Sequence, residues 1–455
     1  MISRDCLQQS SLMAYKNVYQ LLGVAFIVGL ASGRALKADE DASPRIGIIG
    51  GGIGGTSTAF FLRQLYGPKL TIDVFEAQKV GGRTSLIRVN GEDYEAGGTI
   101  IHKKNIIYEF QDKGMAFTTT EDMLRAMGDD LLNMTRHTMN ESLQHIGLSQ
   151  RFIDEFAAAA VKDNYGQTLN AHGFLGVVSL MAVEPDLWAI QDGNKRMAEL
   201  LLRESKANLI KGSVNTVALI KDNLGTGSVS YELDYTKATP GSDKETSESR
   251  EYDIVVVAAP LNEGSKNKIS FADFPRDVVT FKQDYHKLIS MFVQGKVNTT
   301  AFDVGSQNEL PAEIISIAPG CFFNSLKKMT PVSPNSKPDT PLKPEEAVWR
   351  VFFNKDPTEE EINNLFVSHS DLRLVDWWAY PEYQAGADLP PFMLYDRLYY
   401  VNAVEAAASA METALIGGRN VALLAYNQWH GHFDKIDEVQ LPSPAENEET
   451  KKSEL

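Results

Sequence analysis

A glycine-rich run near residue 50 has the residue types and spacing best suited to chemistry in this sequence. Gly50, Gly52 and Gly55 form a G-x-G-x-x-G pattern, with Ile53 and Gly54 inside it. The first glycine of such a pattern permits a tight turn, the second lets the backbone approach a pyrophosphate, and the third lets a helix pack close to its sheet. The free N–H groups at the start of that helix favour phosphate. The run therefore predicts a dinucleotide site.

An acidic residue stands where such a site needs one. Glu76 lies 21 residues after Gly55, directly behind the apolar run "LTIDVF". A carboxylate at this spacing can accept hydrogen bonds from a ribose hydroxyl. The alternative is a plain glycine turn with a surface glutamate, which leaves the spacing unexplained.

A second glycine pair favours FAD over NAD. Gly81, Gly82 and Arg83 come soon after Glu76. Another close approach of the backbone, followed by a cation, has no role in a simple NAD domain; the alternative for Arg83 is a surface cation. An enzyme that takes electrons from NADPH would need a second G-x-G-x-x-G, and the sequence has none. We therefore expect an FAD oxidase, with electrons coming from the substrate and leaving to oxygen.

The elements around the loop predict the fold. A β-rich run from Arg45 to Gly50, a helix from Thr56 to Tyr66 and a strand from Leu70 to Phe75 make a β-loop-α-β unit, which starts a doubly wound sheet. The expected fold class is α/β. With the continuation "GGRTS", the unit resembles the FAD-binding Rossmann domain of the glutathione-reductase-like and amine-oxidase-like superfamily, and this resemblance implies a mixed α+β substrate domain beside it.

The middle of the chain is predicted to be helical. Thr138 and Glu141 have capping-box spacing, and Ser149 can cap a second helix. Five apolar residues of that second helix should share one face: Phe152, Ile153, Phe156, Ala157 and Ala160. From about Leu209 onward, strands dominate.

The C-terminal segment 397–429 resembles the segment that closes over the isoalloxazine ring in flavoproteins of this superfamily, so it is expected to return to the cofactor. Ser409 and Glu412 have capping-box spacing, so a helix should begin near Ala410, with a break at the glycines of positions 417 and 418. The N–H groups at Ala410 and Met411 would stabilise negative charge on a reduced flavin. The alternative is a packed alanine-rich helix.

Composition and the N-terminus indicate the compartment. A net charge of −16 and a pI near 5.1 speak against a nucleic-acid partner. Lys16, the apolar run Leu21–Leu30 and small residues at 31–33 predict a signal peptide over 1–33; a signal anchor and a buried helix are the alternatives. Glycosylation sequons occur at Asn133, Asn140 and Asn298. The mature chain would keep only Cys321, and so no internal disulfide.

Longer stretches resemble one family. They include "IGIIGGGIGGTSTAFFLRQ", "DVFEAQKVGGR", "YEAGGTIIH", "NMTRHTMNESLQHIGLSQRFID", "LWAIQDGNK", "YDIVVVAAPL", "EEAVWRVF" and the segment from "RLYYVNAVEAAASAMETA" to "NVALLAYNQW". Together they resemble the prenylcysteine oxidase family over nearly all of residues 45–435. The resemblance implies oxidation of the thioether of farnesyl- or geranylgeranyl-cysteine to cysteine, an isoprenoid aldehyde and hydrogen peroxide.

The resemblance also implies partners, a compartment and further site residues. The partners are FAD, a prenylcysteine and oxygen, with no metal and no nucleic acid, and with association to a membrane surface left open. The compartment is the secretory pathway, ending in the lysosome, with the ER or secretion as alternatives. Val214 sits where the superfamily grips the adenine end. His102 is the only histidine in a flavin-proximal motif, and it would contact substrate or water or else make a structural hydrogen bond.

One departure from the family concerns the substrate domain. The family has a largely helical stretch where this chain runs from "IHKKNIIY" almost directly into "EFQDKGMAF". A shortening after Tyr108 would affect substrate binding more than flavin binding. Two rivals therefore stay open: an amine oxidase, although Ser290 or its neighbour stands near the usual position of a lysine, and a non-catalytic secreted glycoprotein on the same fold.

The predicted domains interleave along the chain. The FAD-binding domain takes 44–108, 188–262 and 391–435; the substrate domain takes the helical 109–187 and 263–390; and 436–455 is a disordered tail.

Overall fold

The structure is a computed structural model, and it describes residues 43–102, 107–182, 187–220, 229–238, 245–262, 268–278, 284–318, 320–333 and 343–438. The predicted signal peptide and the chain after residue 438 lie outside the described residues.

Strands and helices alternate in the first part of the chain, and strands dominate the later part. The strands are β1 (Arg45–Ile49), β2 (Thr71–Glu76), β3 (Leu86–Val89), β4 (Glu92–Glu95), β5 (Ile101–His102), β6 (Leu187–Trp188), β7 (Asn208–Lys211), β8 (Ser213–Ile220), β9 (Ser230–Ala238), β10 (Glu245–Tyr252), β11 (Ile254–Val257), β12 (Ser270–Ala272), β13 (Tyr285–Val297), β14 (Glu313–Ile315), β15 (Ser325–Lys328), β16 (Val348–Phe353), β17 (Phe366–Pro381), β18 (Met393–Tyr395) and β19 (Leu398–Tyr400). The helices are α1 (Ile53–Tyr66), α2 (Ile107–Asp112), α3 (Thr120–Met127), α4 (Asp129–Met134), α5 (Met139–His145), α6 (Gln150–Phe152), α7 (Ala158–Tyr165), α8 (Gly173–Met181), α9 (Lys195–Ser205), α10 (Glu359–Leu365) and α11 (Met411–His430).

A six-stranded sheet carries the predicted doubly wound unit. Its order is β18-β19-β11-β1-β2-β7, and β1 pairs in parallel with both β2 and β11. β1 and β11 are almost wholly buried, as expected for central parallel strands covered on both faces. The predicted β-loop-α-β unit and the α/β fold class are confirmed, although α1 begins at Ile53 rather than Thr56.

Helix α11 is continuous, so the predicted break at its glycine pair is wrong. A Cβ atom on Gly418 would lie 2.1 Å from Ser57 Oγ of α1, and one on Gly417 would lie 2.8 Å from the Val401 carbonyl oxygen. The two glycines therefore let α11 approach its neighbours closely instead of ending it. Hydrogen bonds of the helix hold because glycine costs a helix interior only about 1 kcal/mol.

A second, five-stranded sheet has the order β14-β15-β16-β13-β17. β13 pairs antiparallel with β17 from Tyr285 to Val297, and antiparallel with β16 from Ile289 to Gln294. One face buries a core that includes Met291, Val351 and Phe353. The opposite face, which we call the inner face, packs on the β3–β4 hairpin at one end and on the middle helices at the other.

The helical prediction holds for the caps and fails at one residue. The capping box of Thr138 and Glu141 is present, and Ser149 Oγ accepts the Phe152 N–H. Between α6 and α7 the chain makes a π-helical turn, Ile153–Ala157. The extra residue in that turn rotates Phe156 off the apolar face, and its side chain is 42% exposed. Ile153, Ala157 and Ala160 are buried as predicted.

The ordered chain extends past the predicted boundary at 436. Ile436 bridges to Ala116, and the Asp437 carboxylate accepts from the N–H and hydroxyl of Thr118. In the part of the chain that the structure describes, we find no helix with the length and apolarity needed to span a membrane.

Candidate cofactor and substrate site

The glycine loop is built so tightly that two of its glycines cannot be replaced. Gly50 has φ +114°, and a Cβ there would lie 2.5 Å from the Ala258 carbonyl oxygen. A Cβ on Gly55 would lie 2.0 Å from the Gly50 carbonyl oxygen. Both therefore serve the packing of the loop on the sheet, as the spacing predicts.

Gly52 differs, because its open side faces no protein atom. Its φ is −75°, and a Cβ would meet only the Gly82 Cα, at 3.9 Å. No side chain caps α1 at this end, so the N–H groups of its first turn, at Ile53, Gly54 and Gly55, point toward the same opening. A cradle of this kind fits the pyrophosphate of a dinucleotide.

Glu76 ends β2 beside the loop. One carboxylate oxygen accepts the Gly51 N–H at 2.7 Å, and the other accepts the Gln78 N–H, also at 2.7 Å. The Glu76 carbonyl oxygen accepts the Gly212 N–H at 3.0 Å. Val214 follows two residues later in β8 and is buried, so the predicted adenine-end residues come together at one end of β2.

The second glycine pair lies directly on the first loop. The Gly81 N–H donates to the Gly51 carbonyl oxygen at 3.0 Å, and Gly81 and Gly52 form an isolated bridge. Gly81 and Gly82 both have positive φ, +122° and +56°, a conformation that favours glycine. The structure thus joins the two motifs that the sequence separates by some thirty residues.

Arg83 is bound within the protein, to a partner that the sequence did not predict. Its guanidinium donates to the Ala379 carbonyl oxygen at 2.6 Å and pairs with both carboxylate oxygens of Glu405. Tyr285 and Asn402 donate to the same carboxylate, at 2.7 and 2.8 Å. Burial alone would lower the pKa of Arg83, but the Glu405 carboxylate outweighs it and raises that pKa. A contact of Arg83 with a cofactor stays a prediction.

Glu405 could have been suspected from its surroundings. It is the one acid in the apolar stretch "VNAVEAAASA", and it is buried. A buried carboxylate needs a cation and hydrogen bonds, but sequence alone does not say which of the many arginines supplies them.

The start of α11 lies beside the turn Gly97–Gly98, with a different cap from the one predicted. Ala410, not Ser409, is the N-cap, and its N–H donates to Thr413 Oγ1 at 2.8 Å. Ser409 is instead held by two tyrosines, donating to Tyr383 OH and accepting from Tyr165 OH. The Met411 side chain would be 3.3 Å from a Cβ on Gly98. The predicted start of the helix near Ala410 is confirmed.

Glu95 is a buried acid in the same region. It accepts the Asn194 N–H, and Asn194 donates in turn to the Gly98 carbonyl oxygen. Burial raises the pKa of Glu95 to about 7, against the opposing effects of Asn194 and Lys195. Its carboxyl is therefore part protonated at neutral pH and can donate as well as accept.

One predicted site residue, His102, is only partly described. His102 belongs to β5 through its backbone, opposite Leu187, but its side chain lies outside the described residues, so its role stays a prediction. Across the described ranges no cluster of three His, Cys, Asp or Glu side chains could hold a metal ion.

An apolar cavity of about 30 Å³ lies between the helices and α11. Side chains of α2, α3, α8 and α11 line it, together with Val404, Ala407 and Ala408. The last two residues lead directly to Ser409 and Ala410.

Comparison with known proteins agrees with this geometry. A family model described as prenylcysteine lyase matches residues 98–438, and one described as an NAD(P)-binding Rossmann-like domain matches residues 48–112. Prenylcysteine oxidase 1 of Bos taurus is 34% identical over 89% of this chain and 93% of its own length. Prenylcysteine oxidase 1 of Homo sapiens is 33% identical over 93% of this chain and 97% of its own length. Prenylcysteine oxidase 1-like of Homo sapiens is 31% identical over 90% of this chain and 95% of its own length.

The same alignments bear on the shortening. The alignment with the human prenylcysteine oxidase 1 has 500 positions and takes in 93% of this chain, about 423 residues. About 77 of its positions therefore have no residue here.

Solved structures share the fold at low identity. Cyclohexylamine oxidase from Brevibacterium oxydans has a TM-score of 0.51 and 13% identity over 86% of this chain and 100% of its own. A putative protoporphyrinogen oxidase from Exiguobacterium has a TM-score of 0.51 and 11% identity over 85% of this chain and 99% of its own. These likenesses show the fold alone, whereas the family match and the relatives show that the chain belongs to the prenylcysteine lyase family.

Proposed function

We propose that this protein is an FAD-dependent oxidase that cleaves the thioether of farnesyl- or geranylgeranyl-cysteine. The products are free cysteine, an isoprenoid aldehyde and hydrogen peroxide. The observation that carries the proposal is the cradle of Gly52, Gly81 and Glu76 in a chain of the prenylcysteine lyase family.

The residues of the cradle fit FAD. The open side of Gly52 and the first turn of α1 would hold the pyrophosphate, and Glu76 would accept from the ribose. Val214 lies where it can flank the adenine end through its backbone. FAD, when bound, would supply an acceptor for the hydride on the carbon attached to sulfur, and oxygen would take the electrons away as peroxide. One water molecule would add to the oxidised carbon, and the resulting hemithioacetal would collapse to cysteine and the aldehyde.

The rest of the chain would orient the substrate and shield its isoprenoid tail from bulk water. The buried network of Arg83 and Glu405 fixes β17 against the segment that leads into α11. The apolar cavity beside Ala407 and Ala408, at about 30 Å³, is far smaller than an isoprenoid tail, so the helices that line it would have to move apart to admit one. Burying such a tail contributes about 25 cal/mol of favourable binding free energy per Å² of apolar surface removed from water. The protein would therefore position the substrate and bury its apolar tail, while the cofactor would accept the hydride.

We also propose the secretory pathway as the compartment, with the lysosome as destination and the ER or secretion as alternatives. The apolar run Leu21–Leu30 would direct translocation. Among the three sequons, Asn133 is exposed on α4, whereas the side chain of Asn298 is engaged by Asn364 and Thr300. Association with a membrane surface would suit delivery of an apolar substrate. Glycosidase treatment should increase gel mobility; a cytosolic chain that retains Met1 would contradict this compartment.

One experiment tests the activity. Purified protein with bound flavin is mixed with farnesylcysteine without oxygen, and we expect the visible absorbance of the flavin to bleach without any nicotinamide. Admitting oxygen should restore it and release one peroxide per aldehyde. A flavin-loaded protein that stays oxidised would contradict the proposal and favour a non-catalytic glycoprotein on this fold.

A further inference from the structure

Arg350 is a buried cation without a counter-ion. Its residue is 5% exposed, and among the residues described as buried it is the only arginine or lysine. Within the described ranges its guanidinium makes no ion pair or hydrogen bond, and its Nε atom is fully buried and unpartnered. Its guanidinium lies over the Phe352 ring, with Cζ 4.2 Å from the ring centroid. Leaving a charge in this state is costly unless something pairs with it.

Two acids lie near Arg350 but leave it unpaired. Burial lowers the pKa of Arg350, while Asp163, Glu313 and Tyr380 act in the opposite direction. Glu313 is already engaged, 2.9 Å from Lys327 Nζ. Asp163 is on α7, across from the sheet, and its Oδ1 atom is buried without a partner. Asp163 thus offers an unpartnered acceptor close enough to act on the charge of Arg350.

Further unpartnered polar atoms surround Arg350 on the inner face. Ser290 and Ser325 both stand opposite Phe352 in register, and Phe352 shares its face with Arg350 because the two are separated by one residue. The hydroxyls of Ser290, Ser325 and Tyr380 are buried and lack partners. Most buried polar atoms in native proteins are hydrogen-bonded, so several unpartnered ones on a single face point to a missing polar group.

The inner face that carries Arg350 and these hydroxyls is connected to the cofactor site through two residues, Trp377 and Tyr380. Trp377, on the same inner face, donates to the Ala96 carbonyl oxygen at 2.9 Å, just before Gly97 and Gly98. The Tyr380 ring is 5.0 Å from the Tyr165 ring, and Tyr165 OH donates to the Ser409 carbonyl oxygen. Through Trp377 and Tyr380, both on β17, the inner face that carries Arg350 thus reaches the segment before Gly97 and the start of α11.

The donors and acceptors match an amino-acid head group. Arginine binds a carboxylate with two parallel hydrogen bonds, hydroxyls can add to these, and an aspartate accepts from an ammonium group. A free prenylcysteine carries this pair of charges close to its sulfur. We propose that Arg350 binds the α-carboxylate of the substrate and that Asp163 faces its α-ammonium group. The assignment rests on the proposed function and goes beyond it by naming the part of the site that recognises the amino acid.

The test compares two thioethers that differ in one group. S-farnesylcysteine carries the α-carboxylate, and S-farnesylcysteamine lacks it. For the unmodified protein we expect KM to be about 10- to 100-fold lower for the cysteine thioether, the range of a charged hydrogen bond. Arg350→Met, which replaces the cation by an apolar side chain of similar length, should reduce that ratio to near one. Arg373→Met is the matched control, because Arg373 lies in the same row of the sheet, is exposed and pairs with Asp371; it should keep the ratio.

The outcomes separate this inference from the proposed function. If neither thioether reduces the flavin of the unmodified protein, the proposed function fails, and the assignment fails with it. If the cysteine thioether is oxidised and Arg350→Met keeps the preference, only the Arg350 assignment is overturned. A fall in flavin content or Tm with both KM values raised alike would indicate a structural role and overturn it too. Should Arg350→Met not fold, Arg350→Lys decides: it keeps the charge without the planar fork, so the preference should shrink, and an unchanged preference would overturn the assignment.

Discussion

At the scale of single residues, Gly52 is the glycine of the loop whose substitution separates cofactor binding from folding. Gly50 and Gly55 are packed against backbone, whereas the open side of Gly52 meets nothing closer than 3.9 Å. Gly52→Val should therefore leave the apoprotein folded and place a side chain where the pyrophosphate would lie. We expect loss of FAD with little change in the Tm of the apoprotein, measured by flavin-to-protein absorbance and by thermal unfolding.

The matched control for Gly52→Val is Gly305→Val, since a Cβ on Gly305 would meet only the flexible Glu309 carboxylate, at 3.3 Å. That variant should retain its flavin. A Gly52→Val protein that purifies with full flavin occupancy would show that the loop does not bind the cofactor.

His172 gives the protein a dependence on pH. Its Nδ1 accepts the Leu175 N–H, its Nε2 bonds the Ala406 carbonyl oxygen, and burial lowers its pKa to about 4 from 6.5. Because the folded state binds this proton less readily than the unfolded state, stability falls as pH drops from 6.5 toward 4. At pH 5 the loss is about 2 kcal/mol.

His172→Asn removes the titration and keeps an acceptor for the Leu175 N–H, because asparagine is a good N-cap. We expect the fall in unfolding free energy between pH 7 and pH 5 to be about 2 kcal/mol smaller in this variant, measured by urea unfolding. His137→Asn, at an exposed position, should behave as the unmodified protein. Equal pH dependence in all three proteins would contradict the buried neutral state of His172.

The sequence predicts residues of this site when they are neighbours along the chain. The G-x-G-x-x-G pattern and Glu76 follow from local spacing, and the structure brings them together. Arg83 and Glu405 are 322 residues apart, so no spacing rule joins them. Ser409 has the right type and spacing for a cap, yet Thr413 receives the Ala410 N–H because Tyr165 and Tyr383 hold Ser409. Local preference allowed Ser409 as the cap of α11, and tertiary contacts determined that Ala410 takes that position.

At the scale of elements, the contact between α1 and α11 depends on Gly418. Alanine normally stabilises a helix interior relative to glycine by about 1 kcal/mol. Here the added Cβ would lie 2.1 Å from Ser57 Oγ and 2.8 Å from the Gly54 carbonyl oxygen, so the helices must move apart. We expect Gly418→Ala to destabilise the protein by about 1–3 kcal/mol, measured by chemical unfolding, while Gly305→Ala changes little. A stabilised Gly418→Ala protein would mean that the helices are not in close contact.

The π-helical turn explains why periodicity misplaced Phe156. A regular helix would put Ile153 and Phe156 on one face, but the turn buries the first and exposes the second. Ile153→Ala should therefore cost about 2–5 kcal/mol, and Phe156→Ala no more than about 1 kcal/mol. Thermal unfolding of the two variants measures the difference; equal losses would indicate a regular helix.

At the scale of the whole molecule, local sequence patterns predicted individual sheets and helices better than they predicted how these elements pack together. Strong periodicity and glycine spacing predicted the doubly wound sheet and the helical middle. They did not predict that the inner face of the second sheet, with Arg350 and Ser290, would lie between the Gly97–Gly98 turn and the helices. That arrangement depends on how the two sheets pack, and no spacing within either sheet encodes it.

The shortening that the sequence analysis predicts after Tyr108 would affect the substrate more than the flavin. The junction after Tyr108 falls within α2, whose Gln111 donates to the Ile416 carbonyl oxygen of α11 at 3.0 Å. Ile107, at the start of α2, lines the apolar cavity. A helical segment restored there would extend the apolar surface next to that cavity.

We therefore expect that restoring the relatives' segment at this junction lowers KM for farnesylcysteine and leaves flavin content unchanged. An added contact of about 100 Å² with the isoprenoid tail is worth about 2.5 kcal/mol, close to two decades in affinity. An insert of equal length made of glycine and serine is the control, and it should not lower KM because it offers no apolar face. If the restored protein holds FAD but its KM equals that of the control, the segment does not contact the tail, and the tail must bind on the side of the inner face instead.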